Sequence, residues 1–294
     1  MKTMKQLAVL AALTAVLASA CAPLGSNGTG SKEAAAPAEH GAHSDPAGGG
    51  HGRHSQDAGP GEAAASGVKV QFKLTADKVL PQQDAVLTMH VQDQQGNSID
   101  RFDLQHEKLM HLIIVSKDLS FFSHLHPEYK SKGEFTITTQ FPAAGEYKLI
   151  SDIVPSGMSA LSRSQWIQVE GTAPARQPVA PDTSLTKTVD GKEITLSFDH
   201  LMAGMDLGLA FHIQDAQTKQ SVTNLEPYLG AVGHVVILSE DAGNYLHVHP
   251  VDEKAKGPDA KFMTAFPHSG VYKIWGQFQH NGKVLTVPFV VKVP

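Results

Sequence analysis

Alternating apolar and polar residues predict β-strands over most of the chain after residue 67. Apolar side chains occupy every second position in Val68–Leu74 and in Ala85–Val91, and Pro, Gly, Asn or Asp bounds each run. Further runs of this kind cover residues 111–116, 121–126, 134–140, 145–153 and 164–169. We find no convincing amphipathic helix between them. About seven short strands in about 100 residues are typical of an antiparallel β-sandwich of the immunoglobulin type.

The same succession of strands occurs twice along the chain. Three pairs of segments match: Met89–Asp93 with Phe211–Asp215, His111–Pro127 with His234–Pro250, and Phe141–Lys148 with Phe266–Lys273. Self-similarity of this kind indicates a repeated domain. We therefore predict an all-β fold class, with two tandem immunoglobulin-like antiparallel β-sandwich domains.

We divide the chain into five segments. They are a lipoprotein signal peptide (residues 1–20), a His-, Gly- and Ala-rich tether (21–66), the first sandwich repeat (67–171), a Pro-rich linker (172–182) and the second sandwich repeat (183–294). The tether contains almost no large apolar residue, so burial cannot repay the entropy of ordering it, and we expect it to be disordered. Its histidines, His40, His43, His51 and His54, either capture metal loosely or belong to a solvated polar spacer.

The N-terminus has the three parts of a secretory signal. Lys2 and Lys5 precede an apolar run at residues 7–17, and small residues 18–20 lead directly to Cys21. This arrangement resembles the lipobox of bacterial lipoproteins, which implies that Cys21 is acylated, for example by palmitate, and anchors an extracytoplasmic protein to the cell membrane. The alternative is an ordinary signal peptide followed by an accidental free thiol. Because Cys21 is the only cysteine, no disulfide forms within the chain.

The net charge of the chain argues against one class of binding partner. The formal net charge is −5, and cleavage of the signal would remove two more positive charges. A negative chain without a basic patch argues against nucleic acid as a partner.

Each repeat carries the same group of three histidines. They are His111, His124 and His126 in the first repeat and His234, His247 and His249 in the second, and a proline follows the last histidine of each group. The first and second members are 13 residues apart in both repeats. One isolated histidine would favour a structural role, whereas the same three in both halves favour metal binding.

Strand register explains how these histidines converge. A hairpin turn at residues 117–120 places His124 opposite Ile113 and His111 opposite His126. Because side chains alternate between the faces of a strand, all three imidazoles lie on one side of the ribbon, within reach of one ion. The same hairpin in the second repeat would place His234 opposite His249. Proline ends each hairpin strand, so we expect both clusters at a sandwich rim that water and ligands reach.

The ligand type indicates which metals suit the clusters. Three neutral imidazoles suit Cu(II), Zn(II) or Ni(II). Among divalent ions of the first transition row, such a site binds copper most tightly, so copper is favoured where it is available. Thioether neighbours would shift the preference toward Cu(I). The lower-ranked candidate ligands are His106, Met110 and Met158 in the first repeat and His200, Met202 and Met205 in the second. The alternative to metal binding is a structural polar network that pins each hairpin.

Residues 111–127 and 228–250 resemble the YtkA-like and FixH-like groups of secreted bacterial sandwich domains and, more distantly, periplasmic copper-carrier sandwiches. The resemblance covers both repeats and excludes the tether. It implies an extracytoplasmic β-sandwich suspected of handling copper, and it supplies neither a reaction nor a ligand set.

The sequence favours a non-enzymatic protein. It has no Gly-x-Ser-x-Gly elbow, no His-Glu-x-x-His motif and no phosphate-binding Gly loop. Asp152 and Glu107 of the first repeat have no acidic counterpart in the second repeat, so neither supports an acid/base role that recurs with the histidines. The leading hypothesis is a lipid-anchored protein that buffers copper or another divalent ion, or delivers it to a metal-trafficking or envelope protein. The rival is an immunoglobulin-like interaction module of the cell envelope with structural histidines. pH sensing by clustered imidazoles and redox catalysis at copper remain open.

Overall fold

The computed structural model describes residues 66–76 and 78–294, without the side chains of His247 and His249. The predicted signal peptide, Cys21 and nearly all of the predicted tether with its histidines therefore lie outside the described residues. Within the described part of the chain, no helix is long and apolar enough to cross a membrane.

The first repeat is a sandwich of two four-stranded antiparallel sheets. Its strands are β1 (Lys69–Leu74), β2 (Asp84–Gln92), β3 (Met110–Ser116), β4 (Phe122–Leu125), β5 (Glu128–Ser131), β6 (Glu134–Gln140), β7 (Gly145–Ile153) and β8 (Leu161–Val169). One sheet has the order β1-β2-β6-β5 and the other β4-β3-β7-β8. The predicted strands are all present. Strand β5 does not follow from the sequence pattern, because its residues are mostly exposed and polar and show no apolar alternation.

The second repeat has the same plan. Its strands are β9 (Thr186–Val189), β10 (Lys192–Phe198), β11 (Asp206–Asp215), β12 (His234–Ser239), β13 (Tyr245–His247), β14 (His249–Pro250), β15 (Asp259–Ala265), β16 (Gly270–His280) and β17 (Lys283–Val293). They form sheets of order β14-β15-β11-β10-β9 and β13-β12-β16-β17. The prediction of an all-β chain with two tandem sandwiches is confirmed.

Each sandwich encloses its own hydrophobic core. Leu112 and Ile114 of β3 point into the first core, and Val235 and Ile237 of β12 point into the second. The alternate residues of β3 and β12 are also buried, so these two strands are covered on both faces. A strand buried on both faces has a second packing partner outside its own sandwich.

That partner is the other repeat. The outward faces of the sheets β4-β3-β7-β8 and β13-β12-β16-β17, which we call the junction sheets, contribute to one apolar cluster. Its buried members are Ile113, Val115, Leu119, Ile150, Val236, Leu238, Ala242 and Trp275. Phe122 of the first repeat stacks on Trp275 of the second, with ring centroids 4.7 Å apart and ring planes inclined by 15°.

Two of the polar contacts across the junction form a reciprocal pair. Lys148 of β7 donates a hydrogen bond to the carbonyl of Ala242. Its counterpart in the second repeat, Lys273 of β16, donates to the carbonyl of Leu119, the counterpart of Ala242, at 2.7 Å. Reciprocal contacts are the property of an isologous interface between two copies of one surface. The repeats therefore pack like the subunits of a twofold dimer.

The segment between the repeats also contacts the junction. Val179 packs against the apolar cluster, and the backbone N–H of Gln177 donates to Asp118 at 3.1 Å. Further along, the N–H of Asp182 donates to the carbonyl of Val290 at 2.9 Å. These contacts tie the connecting segment to both repeats.

Candidate metal centre

The hairpin of the first repeat has the predicted register. Ile113 pairs with His124, and Leu112 pairs with Leu125. His111 and His124 therefore lie on the outward face of their sheet, together with His126 just beyond the end of β4. This face is the one that meets the second repeat.

In the second repeat the predicted pairing of His234 with His249 is wrong. The ladder between β12 and β13 ends at Val236 and His247. The chain then crosses to the other sheet of the sandwich, where His249 pairs with Met263. The side chains of His247 and His249 are not described, so their role as ligands stays a prediction.

His111, His124 and His126 offer ligand atoms that all lie within 4.8 Å of one another. Their ring centroids are separated by 5.2, 5.1 and 4.8 Å. An ion with bonds of about 2.0–2.1 Å to three imidazoles in tetrahedral directions would hold the centroids about 5.2 Å apart. The ring centroids therefore have the spacing of a tetrahedral imidazole site, and the ligand atoms have to draw together from within 4.8 Å to about 3.3 Å to hold the ion.

Hydrogen bonds on the far sides of two rings determine where their lone pairs point. His111 Nε2–H donates to the carbonyl of Gln105 at 2.8 Å, and His124 Nδ1–H donates to Oε1 of Gln277 at 2.8 Å. In the neutral rings the remaining nitrogens, His111 Nδ1 and His124 Nε2, then both carry lone pairs, and they face each other at 2.9 Å. Two opposed acceptors repel each other, whereas a cation between them relieves the repulsion.

Burial keeps the imidazoles neutral. It lowers the pKa of His124 to about 4, against a hydrogen bond with Gln277 and the charge of Asp152 that raise it. Burial and the neighbouring histidines lower the pKa of His126 to about 3. Burial, again with neighbouring histidines, lowers the pKa of His234 to about 2. Neutral imidazole is the form that ligates metals.

The cluster does not lie at an open rim. His111 is 5% exposed and His124 and His126 are partly buried, because the second repeat covers the face that carries them. The expectation of a site open to water at the edge of each sandwich is wrong for the first repeat. The mutual packing of the two sandwiches places the histidines at a domain junction.

His234 of the second repeat joins the histidines of the first. Its ring centroid lies 5.9 Å from that of His111 and 5.8 Å from that of His124. His106 lies on its other side, at 4.7 Å from His234 and 6.3 Å from His111. Of the lower-ranked candidates, His106 is the one that the structure brings to this group. Nε2 of His126 and Nε2 of His234 are buried without a hydrogen-bond partner among the described residues.

The methionine candidates lie elsewhere. Met110 alternates with His111 along β3 and is buried in the first core, and Met158 packs against that same core. Because neither thioether faces the junction, the expectation of sulfur ligands from the first repeat is not supported by the fold.

His200, Met202 and Met205 occupy the connection between β10 and β11. Met202 is 51% exposed and Met205 50%, and His200 Nδ1 lies 3.0 Å from a carboxylate oxygen of Asp199. In this connection the backbone N–H of Gly204 donates a hydrogen bond to the carbonyl of Phe266, which precedes the start of β16. His234 pairs with Gln277 near the other end of β16. Seven residues of strand separate the two ends by about 20 Å, so these side chains do not reach the cluster.

Two residues beside the cluster were not predicted as part of it. Asp152 pairs with His111 across β3 and β7, and Gln277 pairs with His234 across β12 and β16. Each reaches into the opposite repeat: Tyr245 donates its hydroxyl to Asp152 at 3.0 Å, and Gln277 accepts from His124. The equivalence of Asp152 and Gln277 is visible in the sequence, but the contacts depend on how the repeats pack.

The model of the family described as Domain of unknown function (DUF8832) matches residues 63–170 and 187–294. A search of curated proteins finds no match to the chain. No YtkA-like or FixH-like family is among these findings, so that finer resemblance stays a prediction.

Several solved structures are similar to part of this chain. The adhesin FdeC of Escherichia coli is 15% identical with a TM-score of 0.27, and the match covers 76% of this chain and 64% of that chain, just under two thirds of its length. Fibronectin(III)-like modules of Clostridium thermocellum CbhA are 11% identical with a TM-score of 0.21, over 76% and 92% of the two chains. A segment of two fibronectin type III domains of chicken tenascin is 12% identical with a TM-score of 0.22, over 76% and 98%. At these identities and scores the likeness carries no argument about function.

Proposed function

The chain belongs, in two tandem copies, to the family described as Domain of unknown function (DUF8832), and we propose that it binds a divalent transition-metal ion through His111, His124 and His126. We further propose that it acts outside the cytoplasm as a non-enzymatic metal buffer or carrier. The lipid anchor at Cys21 and delivery to a metal-trafficking or envelope protein belong to the same proposal and rest on the sequence.

The observation that carries the proposal is the close approach of two ring nitrogens whose rings each meet an oxygen atom on the far side. His111 Nδ1 and His124 Nε2 lie 2.9 Å apart, and two ligand nitrogens on one tetrahedral ion lie about 3.3 Å apart. A movement of a few tenths of an ångström therefore converts the pair into two metal ligands. His126, with its buried and unpartnered Nε2 among the described residues, supplies the third.

The outer hydrogen bonds support the same conclusion. Metal-ligating histidines almost always donate their second ring N–H to a carbonyl, a carboxylate or a water, and this bond sets the tautomer and the ring orientation. Gln105 provides such an acceptor for His111, and Gln277 provides one for His124. The two ligands are thus oriented by partners from different repeats.

The donor set favours a divalent ion. All three donors are imidazoles and no thioether accompanies them among the described residues, so the site suits Cu(II), Zn(II) or Ni(II) better than Cu(I). Copper heads this group on intrinsic affinity. When bound, the ion would act as cargo held by the protein.

Metal titration tests the proposal. We would titrate the full chain, with the four tether histidines changed to alanine, with Cu(II) and with Zn(II) by calorimetry. The wild-type cluster is expected to bind one tight equivalent that is absent from the His124→Ala/His126→Ala variant. A second tight equivalent that persists in this variant would assign another site to the undescribed side chains of the second repeat.

The matched control is His90→Ala/His212→Ala. These two histidines are equivalent in the two repeats and lie outside the cluster, His90 beside Glu134 and His212 beside Asp259. The control variant should bind as the wild type does. A folded wild type that binds neither ion, or a cluster variant that binds as tightly as the control, would contradict the proposal.

The second candidate is a non-enzymatic interaction module with structural histidines. The observation that favours it is the hydrogen bond between His124 and Gln277, which joins the two repeats without any metal. In this case the His124→Ala/His126→Ala variant would lower the melting temperature, and neither it nor the wild type would bind metal.

A further inference from the structure

His234 is the second repeat's contribution to the histidine cluster. It is the first residue of β12 and shares the junction face with Val236 and Leu238. A backbone hydrogen bond to Leu229 engages its ring, while Nε2 is buried and has no hydrogen-bond partner in the described part of the chain. An unpaired buried acceptor costs free energy, so such an atom calls for a partner that the protein itself does not provide.

A small cavity, which His234 helps to line, lies at the meeting of the two repeats. It has a volume of about 20 Å³ and is lined by His106, His111 and His124 of the first repeat and by His234 and Tyr245 of the second, with Asp152 beside them. This is room for about one water-sized particle. A cavity of this size permits a ring to move by a fraction of an ångström without displacing the core.

Ring spacing connects His234 to the three-histidine site. Its centroid lies 5.9 Å from His111 and 5.8 Å from His124. Two imidazoles on one ion at these separations subtend an angle of about 130°, wider than tetrahedral but within the range of four-coordinate copper. The ligand atoms that lie within 4.8 Å of one another are those of His111, His124 and His126, so His234 has to move toward them by at least about 0.7 Å to reach the tetrahedral separation of about 5.2 Å from His111 and His124.

We propose that His234 is the fourth ligand of the ion held by His111, His124 and His126, so that one metal ion joins the two repeats. This inference rests on the proposed function and adds that the site is incomplete without the second repeat. His106 packs edge-on against His234 and acts as a positioning residue. Binding of the ion then stabilises the junction, and release of the ion requires the junction to open.

Counting the nitrogen ligands tests the inference. The proteins are the wild type, His234→Gln and the control His212→Gln, all as full chains with the tether histidines changed to alanine. Electron paramagnetic resonance of the Cu(II)-loaded proteins should show four imidazole nitrogens in the wild type and the control, and three in His234→Gln. The Cu(II) affinity of His234→Gln should fall by more than the about 10–100-fold that loss of an outer partner costs, while one equivalent still binds.

A second variant gives a positive signal and does not depend on loss of binding. In His234→Cys loaded with Co(II), a thiolate at position 234 would add a sulfur-to-metal charge-transfer band that is absent from the wild type. Hydrogen exchange adds a structural readout: metal should slow the exchange of amides in β12 in the wild type and leave them unchanged in His234→Gln.

The outcomes separate this inference from the proposed function. If His234→Gln matches the wild type in affinity and in nitrogen count, and His234→Cys shows no charge-transfer band, the fourth ligand is overturned while the three-histidine site stands. If the wild type binds neither Cu(II) nor Co(II), the proposed function itself fails. If His234→Gln does not fold, the spectrum of His234→Cys decides.

Discussion

The two repeats share one backbone plan and differ in the side chains that meet at the junction. The equivalent pairs that differ include His106 and Leu229, Phe122 and Tyr245, Ile150 and Trp275, and Asp152 and Gln277. The two bonds from lysine side chains to backbone carbonyls remain reciprocal. Other side chains break this symmetry, and a single cluster at the junction combines four histidines of the first repeat with His234 of the second.

Asp152 and Gln277 illustrate what the difference does. Both occupy the same place beside the first histidine of their repeat. Asp152 accepts from the buried Tyr245 hydroxyl, whose pKa is raised well above its usual value by burial and by this carboxylate. Gln277 instead accepts from His124 and leaves it neutral. A carboxylate supports a hydrogen-bonded tyrosine, whereas an amide orients an imidazole without adding charge.

The two cores also differ in which of two neighbouring strands carries a large side chain. Met110 in the first repeat corresponds to Gly233 in the second, and Ile153 corresponds to Phe278. A Cβ on Gly233 would lie 2.6 Å from the carbonyl oxygen of Gln277 and 2.6 Å from the ring of Phe278. A large residue on β3 is thus replaced by a large residue on β16 at similar total volume.

The largest expected effect comes from removing the aromatic contact between the repeats. Trp275→Ala deletes a ring that is 3% exposed and stacked on Phe122. We expect the free energy of unfolding to fall by about 3–5 kcal/mol and urea unfolding to separate into two transitions. Trp166→Ala, at a tryptophan that is 39% exposed, is the control and should cost much less. Equal effects of the two substitutions would show that the junction contributes little to stability.

The pH dependence of stability follows from the buried histidines. In metal-free protein, His124 and His126 titrate near pH 4 and 3 when folded and near 6.5 when unfolded. Between these values the unfolded chain binds more protons than the folded one, so stability is full above about pH 6.5 and is lost as the pH falls. Each imidazole that stays neutral contributes a slope of up to about 1.4 kcal/mol per pH unit.

Chemical denaturation with a chelator present, at intervals between pH 4.5 and 8, measures this slope. His234→Gln should have a shallower slope than the wild type, because burial also lowers the pKa of His234. A flat profile would argue against neutral buried imidazoles and against pH sensing by the cluster.

Gly233→Ala tests whether the second core needs a residue without a side chain beside Phe278. The new methyl group would collide with a backbone oxygen and with the Phe278 ring, so we expect a loss of about 1–3 kcal/mol in the free energy of unfolding. In the control Gly208→Ala, the nearest atom is a carboxylate oxygen at the end of the exposed Asp199 side chain, and stability should change by less than about 1 kcal/mol. Thermal unfolding of both variants measures the difference.

The smallest expected effect tests reciprocity directly. Lys148→Met and Lys273→Met each remove one charged hydrogen bond across the junction. Each should lower the free energy of unfolding by about 1 kcal/mol, and the two losses should agree within about 0.5 kcal/mol. A large effect of one substitution and none of the other would contradict an isologous junction.

Much of the histidine site could be predicted from the sequence because it depends on local rules. Strand alternation and a four-residue turn suffice to place His111, His124 and His126 on one face. The same rules failed at His249, since its strand leaves one sheet for the other within three residues. Short-range patterns do not report such a crossing, and they do not indicate that a face is covered by another domain.

One available signal pointed to the covered face. Residues 110–116 and 234–239 are apolar at nearly every position, and a continuous apolar run indicates a strand buried on both sides. An alternating strand such as β2 lacks this feature. The signal predicts a partner for the outward face without identifying it.

The sequence by itself determined the strands, the duplication and the grouping of three histidines, because these follow from side-chain alternation over a few residues. Only the tertiary structure decided that the two junction sheets pack together and that His234 faces His111 and His124. It also decided that Gln277 orients His124. These contacts depend on the shape of two surfaces formed by distant parts of the chain, and packing of that kind is settled when the whole molecule folds.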